Sequence, residues 1–85
     1  MWQSRTIPQF WRLFDQLPPA VQTRAEKQYQ LFARDPAHPS LHFKQVGMFW
    51  SARINDSYRA LAVRRGDVFI WVWIGGHDEY ERVIG

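Results

Sequence analysis

Hydrophobic residues recur every three to four positions in the first third of the chain and every second position in its last half. In "TIPQFWRLFDQLP", Ile7, Phe10, Trp11, Phe14 and Leu17 fall on one helical face. Thr6 followed by Gln9 has the spacing of a capping box, and Pro8 fits the first turn of a helix. Pro18-Pro19 interrupts the pattern. A second helix is predicted from about Pro19 to Arg34, with Val21, Ala25, Tyr29 and Phe32 on its apolar side. "DPAHPS" ends it, because proline and the residue before it both resist helix. So short a break between two helices predicts an antiparallel helical hairpin.

From Lys44 the period becomes two. "MFWSARI" sets Met48, Trp50, Ala52 and Ile54 against Phe49, Ser51 and Arg53, and "YRALAVR" sets Tyr58, Ala60 and Ala62 against Arg59, Leu61 and Val63. "VFIWVWI" is apolar on both sides, the mark of a central or covered strand. "NDS" and "RGD" supply the turns. "MWQSR" can add a short strand ahead of the first helix. The expectation is a single domain over residues 1–85, of the α+β class: an N-terminal helical hairpin packed on an antiparallel β-meander.

Composition agrees with one core. The chain has 85 residues, 46% of them hydrophobic, with five Trp and six Phe, which excludes a disordered chain. The absence of cysteine excludes disulfides and thiolate metal sites and suits a cytoplasmic location. No signal-peptide-like or membrane-spanning apolar run is present, so no membrane role is expected. The net charge is +3, and its distribution says more than its size. Between Lys44 and Arg65 stand Lys44, Arg53, Arg59, Arg64 and Arg65, with Asp56 the only acid. Basic residues interleaved with aromatics suit a polyanion, RNA first; a solvated basic face is the plainer alternative.

The strand parity gives the arginines a direction. If Asn55-Asp56-Ser57 is a three-residue hairpin loop, Ile54 pairs with Tyr58 and Arg53 lies opposite Arg59 on the same face. Like charges so placed repel, and an anion between them would remove the conflict. A two-residue loop at Gly66-Asp67 or Arg65-Gly66 then groups Phe69, Trp71 and Trp73 with Ala60 and Ala62 towards the helices. Leu61, Val63, Val68, Ile70, Val72 and Ile74 fall with Arg59 on the other, open face. Such a face, charged at one end and apolar at the other, suggests an anion at the first and a protein partner over the second.

His77 and Tyr80 follow the last strand. In a helical tail they share a side, close to Arg59 and hence Arg53. Cleavage of RNA by its own 2′-hydroxyl needs a base, an acid and cations for the charged phosphorane. Histidine can take either proton-transfer role near neutrality, and arginine offers forked donors to phosphate oxygens. A surface His77 and a core Tyr80 are the structural alternatives. His38 and His42 fit a structural or solvated role, and their spacing to His77 forms no metal site.

In "LPPAVQTRAEKQYQLFARDP", "HPSLHFKQV", "FWSARI", "YRALAVRRGDVFIWVWIG" and the terminal "HDEY", the chain resembles the RelE/ParE superfamily of toxin–antitoxin toxins over nearly its whole length. The resemblance implies a microbial-ribonuclease-like α+β fold. In the RelE branch it implies cleavage of mRNA in the ribosomal A site without metal or cofactor, and neutralisation by a cognate antitoxin protein. By position it gives Arg59, Arg53, His77 and Tyr80 catalytic places; the RNA contacts expected beside them are Lys44, Arg64 and Arg65 of the basic stretch, with Ser51. Ser51 stands where well-studied relatives carry a basic residue, and their strand lysines are missing, leaving Lys44 upstream. The ParE branch shares the fold but poisons DNA gyrase without nuclease residues, and an inert, partner-binding member is a third possibility. His77 with Tyr80 favours the nuclease branch.

Overall fold

The computed structural model describes residues 2–85. Strand β1 (Gln3–Thr6) leads into helices α1 (Pro8–Asp15) and α2 (Pro19–Arg34). A single 3₁₀ turn (Pro39–Leu41) precedes strands β2 (Lys44–Val46), β3 (Phe49–Arg53), β4 (Tyr58–Arg65) and β5 (Val68–Gly76), and helix α3 (His77–Ile84) closes the chain. The sheet order is β1-β5-β4-β3-β2. Strands β2 to β5 form the expected antiparallel meander, and β1 pairs with β5 in parallel, so the sheet is mixed. The strand expected at residues 1–5 thus runs from Gln3 to Thr6; Met1 lies outside the described residues.

Thr6 belongs to β1, which overturns the capping box: Ile7 is the N-cap and no side chain caps α1. The Thr6 hydroxyl instead accepts the Trp11 indole N–H at 2.9 Å. Trp11 is 47% exposed, whereas Phe10 is buried. In α2 the buried stripe is Val21, Ala25, Gln28 and Phe32, with Tyr29 turned outwards. Gln28 is tolerated because its amide N–H₂ donates to the carbonyls of Arg53 at 3.0 Å and Ser40 at 3.4 Å. Strand β2 begins only at Lys44, opposite Ser51, so the Arg53 carbonyl lies beyond the reach of that ladder and α2 supplies a donor.

Both helices pack on one sheet face. Ala52, Ala60 and Ala62 keep that face shallow, and Phe10 and Phe32 fill the space above them. Phe32 meets Phe43, Phe69 and Trp71 edge-on at centroid distances of 5.0, 5.9 and 5.3 Å, the favoured aromatic geometry. Between the two helices and the sheet an apolar groove of about 520 Å³ remains, bounded by Phe10, Trp11, Phe14 and Trp71.

The β2–β3 and β4–β5 turns each have two residues and open on a glycine at positive φ, Gly47 (60°) and Gly66 (59°). Met48, expected to alternate inwards with Trp50, sits in the first of these turns and is 74% exposed. The β4–β5 ladder pairs Ala62 with Trp71 but Leu61 with Trp73, so Val72 is an extra residue in a β-bulge. Beyond it the parity of β5 reverses. Ile74, not Trp73, joins Ala60 in the helix-side core, and Trp73 turns to the opposite face. There α3 covers part of the face expected to be open, burying Leu61 and Ser51 beneath Tyr80 and leaving Val63, Val68 and Ile70 half-buried beside it. Among the described residues no helix is long and apolar enough to cross a membrane.

Candidate functional site

The hairpin loop between β3 and β4 is built by Asn55, whose side-chain oxygen accepts the backbone N–H of Ser57 at 2.8 Å and of Tyr58 at 3.0 Å. The Ile54 amide bonds the Tyr58 carbonyl at 3.0 Å, and Arg53 stands directly opposite Arg59. By alternation theirs is a non-hydrogen-bonded pair, in which side chains approach most closely. The two guanidiniums are held apart by the loop itself. Arg53 pairs with Asp56, and Arg59 donates through Nη1 to the carbonyls of Asn55 and Tyr58.

His77 reaches the same end of the sheet. Its backbone N–H donates to the Ser57 carbonyl at 2.8 Å, and Gly75, two residues earlier, lies opposite Arg59. A side chain at Gly75 would strike the Trp73 indole at 2.7 Å; its absence lets that ring lie across the strand beneath α3. The His77 side chain is 46% exposed, with Nε2 at 3.4 Å from the Glu81 carboxylate one turn along α3 and the Tyr80 ring 5.9 Å away. Beside His77 opens a recess of about 470 Å³ whose walls include Asp56, Asp78 and Glu79. The imidazole thus has an acidic side as well as a basic neighbourhood.

Tyr80 and Ser51 stand elsewhere. Tyr80 is 7% and Ser51 3% exposed, and the phenol donates to the Ser51 hydroxyl at 3.0 Å. In this conformation both side chains hold α3 to the sheet and neither faces a substrate. The four expected RNA contacts do not form one surface. Lys44 is exposed on the edge strand β2, on the face that carries α3. Arg65 closes β4 on that same face, and Arg64 points to the helix side among aromatic rings. Asp56, Glu81 and Gln28 escaped the sequence reading although each touches Arg53 or His77. Glu81 was findable, since i and i+4 adjoin on any helix; Gln28, a polar residue on a helix later buried, gave no signal.

A family model described as a ParE-like toxin domain matches residues 19–82. The chain belongs to the ParE-like toxin family. It is thereby a toxin of the RelE/ParE superfamily, and that match spans α2, strands β2 to β5 and most of α3, including Arg53, Arg59 and His77. Solved structures agree in fold over most of the chain. A chain from the RelB–RelE antitoxin–toxin complex of Methanococcus jannaschii superposes with TM-score 0.75 at 12% identity, covering 95% of this chain and 99% of that one. YafQ from E. coli BL21(DE3) gives 0.70 at 9% identity over 94% and 98%. A chain of the RelBE2 toxin–antitoxin complex of Mycobacterium tuberculosis gives 0.66 at 17% over 89% and 98%. At these identities the shared property is the fold. Among curated proteins none matches in sequence.

Proposed function

We propose that this toxin is a metal-independent mRNA endonuclease that cuts in the ribosomal A site, arresting translation in the cytoplasm until an antitoxin binds it. The observation that carries the reading is the meeting of Arg53, Arg59 and His77 at one end of the sheet, tied by the Arg53–Arg59 register and the His77–Ser57 backbone bond. The two arginines offer donors for the phosphate, once Asp56 and the loop carbonyls yield to it. His77 transfers a proton to or from the reacting oxygens. Arg53 exchanges the exposed Asp56 carboxylate for phosphate at small cost, whereas Arg59 gives up two part-buried carbonyls for it.

A second reading, inhibition of DNA gyrase without chemistry, is favoured by one feature: the acids around His77 oppose a polyanion on that side. Induction in growing cells separates the two. The nuclease reading expects growth arrest with new mRNA 5′ ends at codon-related positions, and arrest lost in His77→Ala. DNA-damage signalling that survives His77→Ala would instead establish the gyrase reading.

The antitoxin complexes among the solved relatives support an antitoxin partner here. Its segment is expected to bring acidic and apolar side chains over Arg53, Arg59, Val63 and Ile70, the charged and half-buried aliphatic parts of the α3-side face. Arg59→Glu should then co-purify with its antitoxin several-fold less well, and unchanged recovery would count against that placement.

A further inference from the structure

At the end of the sheet far from the Asn55–Ser57 loop, on the face that carries α1 and α2, one guanidinium lies over the exposed Trp2 ring, with the half-buried Trp50 and the buried Phe69 nearby. Arg64 sits 4.6 Å above the Trp2 ring and 6.0 Å from the rings of Trp50 and Phe69. Its Nε donates to the Gly66 carbonyl at 2.8 Å, which fixes the plane of the group. Among the described residues that carbonyl is its only hydrogen-bond acceptor, and it makes no ion pair. The Nη donors are therefore free, and Arg64 is exposed. Trp2 keeps 46% of its surface open although its ring meets Phe69 at 5.0 Å in a tilted contact and carries the Arg64 guanidinium on one face, so the indole is anchored and still accessible.

We infer that Trp2 and Arg64, with Trp50 beside them, form a contact site for single-stranded RNA, separate from the candidate cleavage site. A phosphate takes the free Nη donors, and the adjoining base stacks on the open surface of Trp2. The chemistry favours a nucleotide over an acidic peptide. A carboxylate would use the guanidinium but not the flat exposed ring, whereas each nucleotide brings an anion and a π-face together. Arg64 lies five residues along β4 from Arg59, about 17 Å, and its side chain faces the other way. The contact holds RNA without touching the scissile bond, so it does not depend on the nuclease reading.

The test measures binding of a 5′-fluorescein-labelled 12-nucleotide RNA of mixed sequence by anisotropy. The protein carries His77→Ala, which keeps the probe intact. Arg64→Gln retains most of the side-chain stem and its packing; Trp2→Ala removes the ring. Both variants are expected to weaken binding about fivefold or more. Arg64→Gln should also reduce the slope of log affinity against log salt by about 0.7, the loss of one phosphate contact to a single strand. Affinities within twofold of the parent in both variants would overturn the site. So would unchanged RNA affinity with impaired antitoxin binding, which would give the patch to a protein partner. RNA binding lost in these variants, in a toxin whose unsubstituted form cuts no mRNA, would uphold the site while removing the nuclease reading.

Discussion

His77→Ala is expected to lower cleavage of ribosome-bound mRNA by about 10² to 10⁴-fold, the usual contribution of a positioned proton-transfer group. The fold should survive. The structural bond at this position runs from the His77 backbone N–H to Ser57, and alanine keeps it. The imidazole itself is half-exposed and lies beside the exposed Glu81 carboxylate and the tilted Tyr80 ring. Exposed substitutions of this kind change stability by about 0.5 kcal/mol or less. Arg59→Ala is expected to cost a further large factor, about 10²-fold, because it removes donors aimed at developing charge. Asp56→Asn should act in the opposite sense. It releases Arg53 from its ion pair and removes one acid from the recess beside His77, so cleavage should hold or rise. Quantitative primer extension on a single mRNA, with purified toxin and ribosomes, reads all three. Cleavage by His77→Ala within threefold of the parent would remove the imidazole from the chemistry. The Asp56→Asn result separates electrostatics from geometry, since it alters charge without moving either strand.

Much of that site was legible because hairpin parity is rigid. The three-residue loop at Asn55–Ser57 fixes Arg53 opposite Arg59, whatever happens further along β4. The boundaries of α2 were legible for a similar reason, unlike the start of α1: Pro19 opens α2, and Asp35-Pro36 lies at its end. What stayed hidden needed long-range information. "VFIWVWI" is apolar on both sides, so alternation could not reveal that Val72 bulges and exchanges the places of Trp73 and Ile74. Strand β2 has three residues, too few to show a period, and β1 owes its parallel pairing to β5, which lies more than sixty residues away. Gln28 reads as a surface residue until Arg53 offers a carbonyl without a strand partner. The face expected to be open is partly covered from within the same chain, because the tail that supplies His77 also folds back as α3. That one helix assigns the two aromatic residues of "HDEY" to different tasks, His77 to the rim and Tyr80 to the core.

Tyr80 allows that division of labour to be measured. Tyr80→Ala removes a buried ring that packs on Trp73 at 6.4 Å and, through its hydroxyl, on Ser51. A large aromatic lost from such a place costs about 3–5 kcal/mol, and here it would free α3 and expose Leu61. For a chain of this size the thermal midpoint should fall by ten degrees or more, on the scale of about 4–8 °C per kcal/mol. Tyr80→Phe is the discriminating variant. It keeps the ring and leaves the buried Ser51 hydroxyl without its donor, a loss of about 1–3 kcal/mol. If the phenol serves only to dock α3, this protein is less stable yet cleaves mRNA within about threefold of the parent below its midpoint. A hundredfold loss of cleavage in a folded Tyr80→Phe protein would mean that the hydroxyl leaves Ser51 to meet the substrate. Since α3 stands between Tyr80 and solvent, such a result would require the helix to shift during turnover. Faster amide hydrogen exchange in α3 on binding RNA would then be expected, with the β4–β5 ladder still protected.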